Sequence, residues 1–488
     1  MITDFDKLVK LAYPGQPSIF TQKQLEDINE IIKFHDYYDG ESFKYVVTDF
    51  PEYGRNHNRD DYRPAQLVIN YIRKIIDKLT SFQFEIPVDI SATVEGKPGD
   101  GMREKAEDIE QYLYGWHKKN KLNLKHLQAA KEHNISGGVA YKLMPDDGLG
   151  EARAVIRERI ECFPVTDFDD YENISKVHFV AFVNEKEIWK QTFEMAGGSC
   201  YIEEAIYSAG DIKQVTKEIV PYQPLKVNGQ PLDFMPVYII PNLPMLGEVW
   251  GLSEVKDLTG LQDEINKKYS DLSDSLRFEM FAITILLNIT DVADNDSLKT
   301  KPGAVWHLMG GGDNKIGAEK LESKFPYIES LRYHLESMKS LMFELSDCIQ
   351  LEGKQIENVG QLSGVALRML FANMISKINQ KNTIWTEALE RIYTDAVKIK
   401  SYYDRSFKLP EDLDITIIPH VPIPLNKKEE VEIITQKLAF SLTSVKAAMD
   451  ELGVQNPELM IAEILNEQKT FEQALSQYAD TRETKTSE

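Results

Sequence analysis

Apolar residues recur every three or four positions over several long stretches of the chain, a spacing that predicts amphipathic helices. In the first third, this spacing predicts helices at Thr21–Tyr38, Pro64–Phe82 and Met102–Gly137. Glu95–Met102, which contains three glycines and a proline, predicts a loop before the third helix. Gly137-Gly138 predicts the end of that helix, because glycine is favoured just past a helix C-terminus.

From about Val139 to Ile240 the pattern changes to short runs in which apolar and polar residues alternate, as in half-buried strands. Turn-forming residues separate these runs, and Asn228-Gly229 is the strongest hairpin signal among them. Strand and helix do not alternate here, so the region is predicted to be antiparallel. The predicted strands are Ala152–Cys162, Val177–Val183, Ile188–Phe193, Cys200–Tyr207 and Met235–Ile240.

Two long amphipathic helices with a small insert between them follow the β region. The first is Ser253–Phe281, whose first residue is a suitable N-cap, and its length gives a rod of roughly 40 Å. The second is Pro326–Asp347. Residues 281–325 lie between them and contain strand-like runs at Ala282–Ile289 and Ala304–Met309. If the helices pair as a hairpin, this insert projects from the body of the protein as a lobe that needs neighbours.

The remainder of the chain is predicted to be mainly helical. Its elements are a polar segment at Cys348–Leu362, a long helix at Ser363–Ser401, a strand at Ile415–Ile418, a helix capped by Asn426, a short helix at Thr443–Leu452, and a last helix from Asn456-Pro457-Glu458.

Composition narrows the functional classes. The chain has 488 residues, 42% of them hydrophobic, which is enough for a large core and several modules. With 56 Lys and Arg against 78 Asp and Glu, its formal charge of −22 excludes a protein that coats DNA. The three cysteines are far apart and predict a reducing compartment, with neither a disulfide framework nor a zinc site. Since the N-terminus has no apolar signal region and no apolar run reaches about 20 residues, we expect a soluble protein made in the cytoplasm.

The sequence contains few candidates for phosphate or metal binding. Gly310–Gly312 with Lys315 lacks the spacing of a phosphate-binding loop, so a flexible connection is the favoured interpretation. His126 and His133 would share a helix face at about 10 Å, too far apart for one metal ion to bridge. A structural or solvent-facing role is favoured for both histidines.

Clusters of aspartate raise the alternative of a metal-dependent nuclease, which needs convergent carboxylates. The clusters are Asp60-Asp61, Asp146-Asp147, and Asp167 with Asp169 and Asp170. All of them coincide with turn signals, where aspartate is favoured because it bonds the local backbone. The turn interpretation is preferred, and the nuclease remains an alternative.

The order of parts resembles that of the portal, or head-to-tail connector, proteins of tailed bacteriophages. Several local signatures are similar to the subgroup from long-tailed phages of Gram-positive hosts. The local matches are Val68–Ile72 with Ser81–Phe84, Gly137–Tyr141, Phe163–Val165 before Asp167–Asp170, Met235–Val237 through Asn242, Gly251–Val255, Leu261–Asn266, Ser363–Leu367, and Leu442–Leu452 with Asn456–Glu467.

The resemblance implies an α+β subunit of a portal-type ring, built mainly of long helices, with an antiparallel β wing region and a small α/β clip lobe. It divides the chain into a wing (1–252), a first stem helix (253–280), a clip (281–325), a second stem helix (326–347), a tunnel loop (348–362), a long wing helix with a return strand (363–424) and a crown (425–488).

The resemblance also implies a function without catalysis or cofactors. Portal subunits form a ring, usually of twelve, at one capsid vertex of the virion after assembly in the host cytoplasm. The ring is the channel for genome packaging by the terminase, for head–tail connection and for DNA ejection. The implied partners are the terminase, a head-completion adaptor, capsid and scaffolding proteins, and double-stranded DNA that passes through weakly, with no membrane.

Two sets of site residues follow from the resemblance, and no catalytic or metal-binding residue is expected. The tunnel-loop residues that would face DNA are Gln350, Glu352, Lys354, Glu357, Asn358 and Gln361. The clip residues that would dock partners are Asp291, Asp294, Asn295, Asp296 and Lys299. Because the loop has two glutamates and one lysine, it would hold phosphate weakly, as a sliding duplex requires. The main alternative is a coiled-coil scaffold that does not bind DNA.

Overall fold

The computed structural model of the chain divides into two compact units. The larger comprises Met1–Gln350 with Asn373–Pro422, and the smaller comprises Leu351–Ala372 with Ile423–Glu488. The residues that the structure describes are 2–14, 18–45, 65–94, 102–167, 169–280, 284–287, 291–292, 308–309, 317–320, 327–350, 364–404, 407, 409–410, 412–422, 427–452, 460–461 and 464–465.

Helices make up much of both units. They are α1 (Ile2–Ala12), α2 (Ser18–Asp39), α3 (Tyr71–Phe84), α4 (Met102–Lys119), α5 (Leu122–Ser136), α6 (Thr259–Met280), α7 (Ile328–Leu345), α8 (Gly364–Leu370), α9 (Ala372–Tyr403), α10 (Lys427–Ala439) and α11 (Val445–Glu451). Short 3₁₀ turns lie at Ser42–Lys44, Arg159–Glu161 and Lys256–Leu258. None of the described helices has both the length and the apolar character needed to cross a bilayer.

The strands lie in the larger unit. They are β1 (Asp89–Val94), β2 (Gly138–Asp146), β3 (Glu151–Glu158), β4 (Cys162–Thr166), β5 (Ile174–Asn184), β6 (Glu187–Ala196), β7 (Ser199–Ser208), β8 (Val215–Pro224), β9 (Lys226–Val227), β10 (Gln230–Pro231), β11 (Val237–Pro241), β12 (Thr284–Leu287), β13 (Asp291–Val292), β14 (Leu308–Met309), β15 (Gly317–Lys320) and β16 (Leu413–Ile418).

Every described strand pairing is antiparallel, which confirms the predicted α+β class with an antiparallel region. One sheet has the order β4-β5-β6-β7-β8, another β11-β2-β3, and β1 pairs with β16. The insert between α6 and α7 contains the pairs β12–β15 and β13–β14. Asn228-Gly229 forms the predicted tight turn, with φ angles of 49° and 82°.

The main core of the larger unit lies where α3, α4, α5 and α9 pack against β2. Trp385 of α9 lies at its centre with its ring 4.8 Å from that of Phe84. Trp116 packs edge-on against Tyr393 at 5.3 Å. A second cluster joins α1 and α2 to β5 and β6 through residues such as Val9 and Val180. In the smaller unit, Lys437 and Glu451 link α10 and α11 by an ion pair of 2.6 Å.

The predicted helix Pro64–Phe82 begins later than expected. Residues 65–70 are not helical, and α3 starts at Tyr71. Asn70 is the N-cap, because its side chain accepts a hydrogen bond from the Arg73 N–H at 2.8 Å. The apolar spacing continues across the cap, so periodicity alone places the start too early.

The predicted helix Met102–Gly137 is two helices, α4 and α5. Lys121 has a φ of 55°, in the left-handed region that interrupts a helix. The side chain of Asn120 accepts from the Ala154 N–H at 3.0 Å and donates to Trp116 O at 3.2 Å. Asparagine that binds the backbone in this way competes with helical hydrogen bonds, which accounts for the break.

The predicted strand Ala152–Cys162 is also divided. The 3₁₀ turn Arg159–Glu161 separates β3 from β4, and the two belong to different sheets. Alternation does not predict β2 or β8, because β2 is buried along most of its length and β8 is exposed along most of its length. The other predicted strands correspond to β5, β6, β7, β11 and β16.

The later helices differ from prediction mainly at their ends. Ser253 is not the N-cap of a helix at Ser253–Phe281, because α6 begins at Thr259 after a 3₁₀ turn. The predicted helix Ser363–Ser401 is α8 and α9, interrupted at Phe371. Several predicted features lie outside the described residues: Asp60-Asp61, Gly310–Gly312, the Asn426 cap and Asn456-Pro457-Glu458.

Candidate functional site at the junction of the long helices

The C-terminal end of α5 holds the chain that leads into α6. α5 ends at Gly137, whose φ of 86° is readily adopted by glycine. The last carbonyls of a helix have no partner within it, and here donors come from distant segments. They are the Glu254 N–H to Asn134 O at 3.0 Å, the Ser253 hydroxyl to Ile135 O at 2.5 Å, the Arg159 guanidinium to Ser136 O at 2.6 Å, and the N–H groups of Asn242 and Gly251 to Gly137 O at 3.0 Å each.

Close packing requires glycine at Gly251 and Gly138 as well as at Gly137. A Cβ atom at Gly251 would lie 1.5 Å from Asn242 O, and one at Gly138 would lie 2.6 Å from the Trp250 ring. A side chain at either position would push these segments apart. Both glycines belong to the motifs that carry the family resemblance, so the packing gives those motifs a physical reason.

Glu254 follows this junction and forms a buried ion cluster with two lysines of α9. Its Oε2 lies 2.7 Å from Lys377 Nζ and its Oε1 lies 2.8 Å from Lys381 Nζ. Burial raises the pKa of Glu254, but the two ammonium groups outweigh burial and lower that pKa to about 2. Glu254 is therefore ionised at neutral pH.

The two lysines join further segments to this cluster. Lys381 Nζ donates to Asn134 Oδ1 at 2.5 Å, which adds the end of α5. Lys377 Nζ donates to Ser346 O at 3.1 Å and lies 3.6 Å from the Asp347 carboxylate, which adds the residues after α7. These contacts, here called the Glu254 cluster, connect α5, α9, the start of α6 and the end of α7.

Sequence reasoning did not identify the Glu254 cluster, and it included Glu254 only within the Gly251–Val255 match. A usable signal was present in α9. Lys377 and Lys381 are one helical turn apart, on the same face as the buried residues Met374, Ile378 and Trp385. Lysines on a buried face require a carboxylate partner, although the spacing cannot tell which one.

A ladder of hydrogen bonds fixes α6 along its length. Alternate backbone N–H groups of the extended segment at residues 65–71 point at α6, where polar side chains recur every fourth residue. The rungs are Ala65 N–H to the Asp274 carboxylate at 3.0 Å, Leu67 N–H to Ser270 Oγ at 3.0 Å, Ile69 N–H to Asn266 Oδ1 at 3.0 Å, and Tyr71 N–H to Gln262 Oε1 at 2.9 Å. Two extended residues span about 6.6 Å and four helical residues span about 6 Å, so the two repeats match.

α6 and α7 pack as an antiparallel pair. The side chains of Ser275 and Tyr327 line one shallow cleft near one end of the pair. Farther along, His334 Nε2 lies 3.9 Å from the Glu264 carboxylate. At the other end, Lys377 contacts both Glu254 and Ser346. The residues that flank the insert, Met280 and Tyr327, and the Glu254 cluster therefore lie at opposite ends of the pair.

The root of the predicted tunnel loop lies beside the Glu254 cluster. Asp347 has a φ of 57°, Cys348 is buried, and Lys78 Nζ donates to Ile349 O at 2.5 Å. Gln350 is partly buried and is the last described residue before α8. The other predicted loop residues, Glu352, Lys354, Glu357, Asn358 and Gln361, lie outside the described residues.

The predicted docking residues lie in the insert between α6 and α7. The backbone of Asp291 is in β13 and pairs with Met309 of β14. Asp294, Asn295, Asp296 and Lys299 lie outside the described residues. A surface that combines all five residues therefore remains a prediction.

The histidines considered for metal binding are buried in the core, which is the structural one of the two roles left open by the sequence. His126 lies 2.9 Å from Tyr141 Oη and 3.4 Å from Tyr393 Oη, and His133 Nε2 lies 3.1 Å from Pro241 O. Burial lowers the pKa of both histidines to about 3. Across the described part of the chain, no group of His, Cys, Asp or Glu has the arrangement of a metal site.

The described aspartate clusters form turns, as predicted. Asp146 Oδ1 accepts from the Gly148 N–H at 3.1 Å, and Asp170 Oδ1 accepts from the Glu172 N–H at 3.0 Å. Asp167 accepts a hydrogen bond from the Asn173 amide. The local backbone and neighbouring side chains thus account for these carboxylates without a metal ion.

Comparison with protein families gives a match over most of the chain. The sequence model of a family described as "Phage portal protein, SPP1 Gp6-like" matches residues 18–474. No curated protein matches the chain.

Proposed function

Because the chain belongs to the SPP1 Gp6-like family of phage portal proteins, we propose that it is a structural subunit of the ring at one capsid vertex. The ring would conduct double-stranded DNA inward during packaging by the terminase and outward during ejection. It would also join head to tail. We propose a mechanical role without catalysis, and the virion as its location.

The observation that carries this proposal is the placement of the parts around α6 and α7. The antiparallel pair has an insert at one end and the Glu254 cluster with the loop root at the other. A subunit of a DNA channel needs this separation, because one end has to bind partners outside the capsid while the other borders the duplex.

We propose the following assignment along the chain, in keeping with the family. The wing is residues 1–252, the first stem helix 253–280, the clip 281–325, the second stem helix 326–347, the tunnel loop 348–362, the long wing helix with its return strand 363–424, and the crown 425–488. In this assignment the Glu254 cluster joins the wing, both stem helices and the long wing helix.

We propose that Gln350, Glu352, Lys354, Glu357, Asn358 and Gln361 face the duplex. Cationic contacts add affinity for DNA, so a loop with more acidic than basic residues favours sliding over retention. Adding positive charge within residues 350–358 should impair packaging while rings still form. Normal filling of heads by such variants would remove this assignment.

We propose that Asp291, Asp294, Asn295, Asp296 and Lys299 form the docking surface for the terminase and the head-completion adaptor. Substituting these residues should weaken capture of the terminase by assembled rings. Unchanged capture would exclude this surface.

Electron microscopy of the purified, negatively stained protein tests the central proposal. We expect closed rings with a central pore, usually of twelve subunits. Filaments or rods without a pore would favour a coiled-coil scaffold. A compact monomer that cleaves DNA in the presence of magnesium would favour a nuclease, and either result would overturn the proposal.

A further inference from the structure

α3 and α7 meet in a seam that carries lysines on successive turns. Lys339 of α7 lies over the Tyr71 ring at 6.0 Å, and Lys74 of α3 lies over the Phe343 ring at 5.8 Å. One turn beyond Lys74, Lys78 reaches the carbonyl of Ile349 at the loop root. The seam therefore leads directly to the point where the predicted tunnel loop begins.

The charge of Lys74 and Lys78 is not neutralised by the described residues around them. Within the described part of the chain, no carboxylate lies within ion-pair distance of either ammonium group. Asp77, their neighbour in sequence, binds Tyr38 Oη at 2.7 Å and Lys131 Nζ at 3.0 Å. Lys377 and Lys381, by contrast, share Glu254.

An unpaired cation that is partly buried is unfavourable unless an anion reaches it. Lys78 is only partly exposed, and burial lowers the pKa of its ammonium group. The Ile349 carbonyl uses one of its three donors, so two remain for another acceptor. Lys74 is exposed and can take part in the same contact.

The net charge of the chain restricts the anion. A free small anion is repelled by a protein of charge −22 and would seldom be bound. A DNA duplex instead contacts these lysines in several subunits of the ring at once, and the contacts add up to outweigh this repulsion. Ammonium groups on successive turns, about 6 Å apart, can contact neighbouring phosphates of one strand.

We infer that Lys74 and Lys78 form a contact site for the phosphate backbone of double-stranded DNA beside the root of the tunnel loop. This inference rests on the proposed function. Two cations in each subunit give a brief, salt-sensitive contact, because so few phosphate contacts add little affinity. The site lies on α3, outside the loop expected to meet DNA.

The test is binding of a short fluorescent DNA duplex to the assembled protein at several salt concentrations. Compared with the unmodified protein, we expect the K74Q/K78Q variant to bind roughly tenfold more weakly in low salt. The slope of log affinity against log salt should fall by about one for each phosphate that the protein no longer neutralises. The K74R/K78R variant keeps both charges and should restore binding.

The matched control is K213Q/K217Q, which removes the same charge from exposed lysines at β8. If the control and K74Q/K78Q lose DNA affinity equally, the loss comes from net charge alone and the inference is overturned. Unchanged DNA binding by K74Q/K78Q would also overturn it. If K74Q/K78Q does not assemble, the single variant K74Q is used, because Lys74 is exposed and its substitution should not disturb folding. We expect K74Q to lose DNA affinity, but less than a variant without both contacts. Unchanged affinity of K74Q would overturn the inference. Failure of the unmodified protein to form rings would instead refute the proposed function.

Discussion

The core around Trp385 and the α6–α7 pair use apolar side chains in opposite ways. In the core, Trp385 is 1% exposed and packs against the rings of Phe84, His126, His133 and Tyr141. On α7, Tyr333 is 75% exposed and Leu345 is 56% exposed, although Leu335, Met338 and Met342 of the same helix are buried. Polar side chains fix α6 through the ladder instead.

The difference shows which part of the subunit buries its apolar surface without a partner. The core buries its own apolar surface, so it should fold without partners. An exposed apolar stripe on a helix is characteristic of a surface covered in an assembly. We therefore expect the core to determine the stability of one subunit, and the outer face of α7 to determine association.

The largest loss of stability is expected from Trp385→Ala. Removing this buried ring should lower the free energy of unfolding by about 4–5 kcal/mol, because the surrounding aromatic residues cannot fill the space. Chemical denaturation followed by circular dichroism measures this effect. Trp385→Phe keeps most of the packing and is the control. Equal stability of Trp385→Ala and the unmodified protein would contradict the role given to this core.

Glu254→Gln should have the next largest effect, about 3–4 kcal/mol, because it leaves the buried Lys381 ammonium without a counter-charge and Lys377 with only the Asp347 carboxylate at 3.6 Å. The low pKa of Glu254 means that its contribution is complete above pH 4.5 and is lost as the pH falls towards about 2. Denaturation at neutral pH measures the loss. The control is Glu264→Gln, which changes an exposed pair and should cost under about 1 kcal/mol. Equal costs for the two variants would refute the importance of the cluster.

Acid should destabilise the core through its buried histidines. Burial lowers the pKa of His126, His133 and His178 to about 3, so all three are neutral in the folded protein. Their contribution is complete above pH 6.5 and declines as the pH falls towards 3, by up to about 1.4 kcal/mol per pH unit for each histidine. Denaturation midpoints from pH 7 to pH 4 measure the slope. His126→Gln should make it shallower, and an unchanged slope would contradict this account.

Substitutions of exposed apolar residues on α7 should have the smallest effect on the stability of one subunit. They also test most directly whether α7 determines association. Leu341→Ser with Leu345→Ser should change the free energy of unfolding by less than about 0.5 kcal/mol, because both side chains are exposed. The same variant should lose rings in sedimentation and electron microscopy. Leu149→Ser, at an exposed turn, is the control and should leave assembly unchanged. Intact rings in the α7 variant would refute the division.

Apolar periodicity was sufficient to predict most elements, because a helix or strand that buries one face repeats that face in the sequence. It could not predict Asn120 or Asn70, whose side chains end or begin helices through hydrogen bonds with particular backbone groups. The Glu254 cluster was not predictable for a related reason. Its members are far apart in the chain, and only the fold brings them together.

The ladder between residues 65–71 and α6 restricts how that helix can move. Each rung needs a polar side chain at the same height, and such side chains recur on α6 only once per turn. A shift by a fraction of a turn would break all rungs together, whereas a shift by four residues, about 6 Å, would align most of them again. Axial displacement of α6 is thus confined to discrete steps of about one turn. A displacement at one end of α6 would therefore shift the whole helix, including its other end, in the same step.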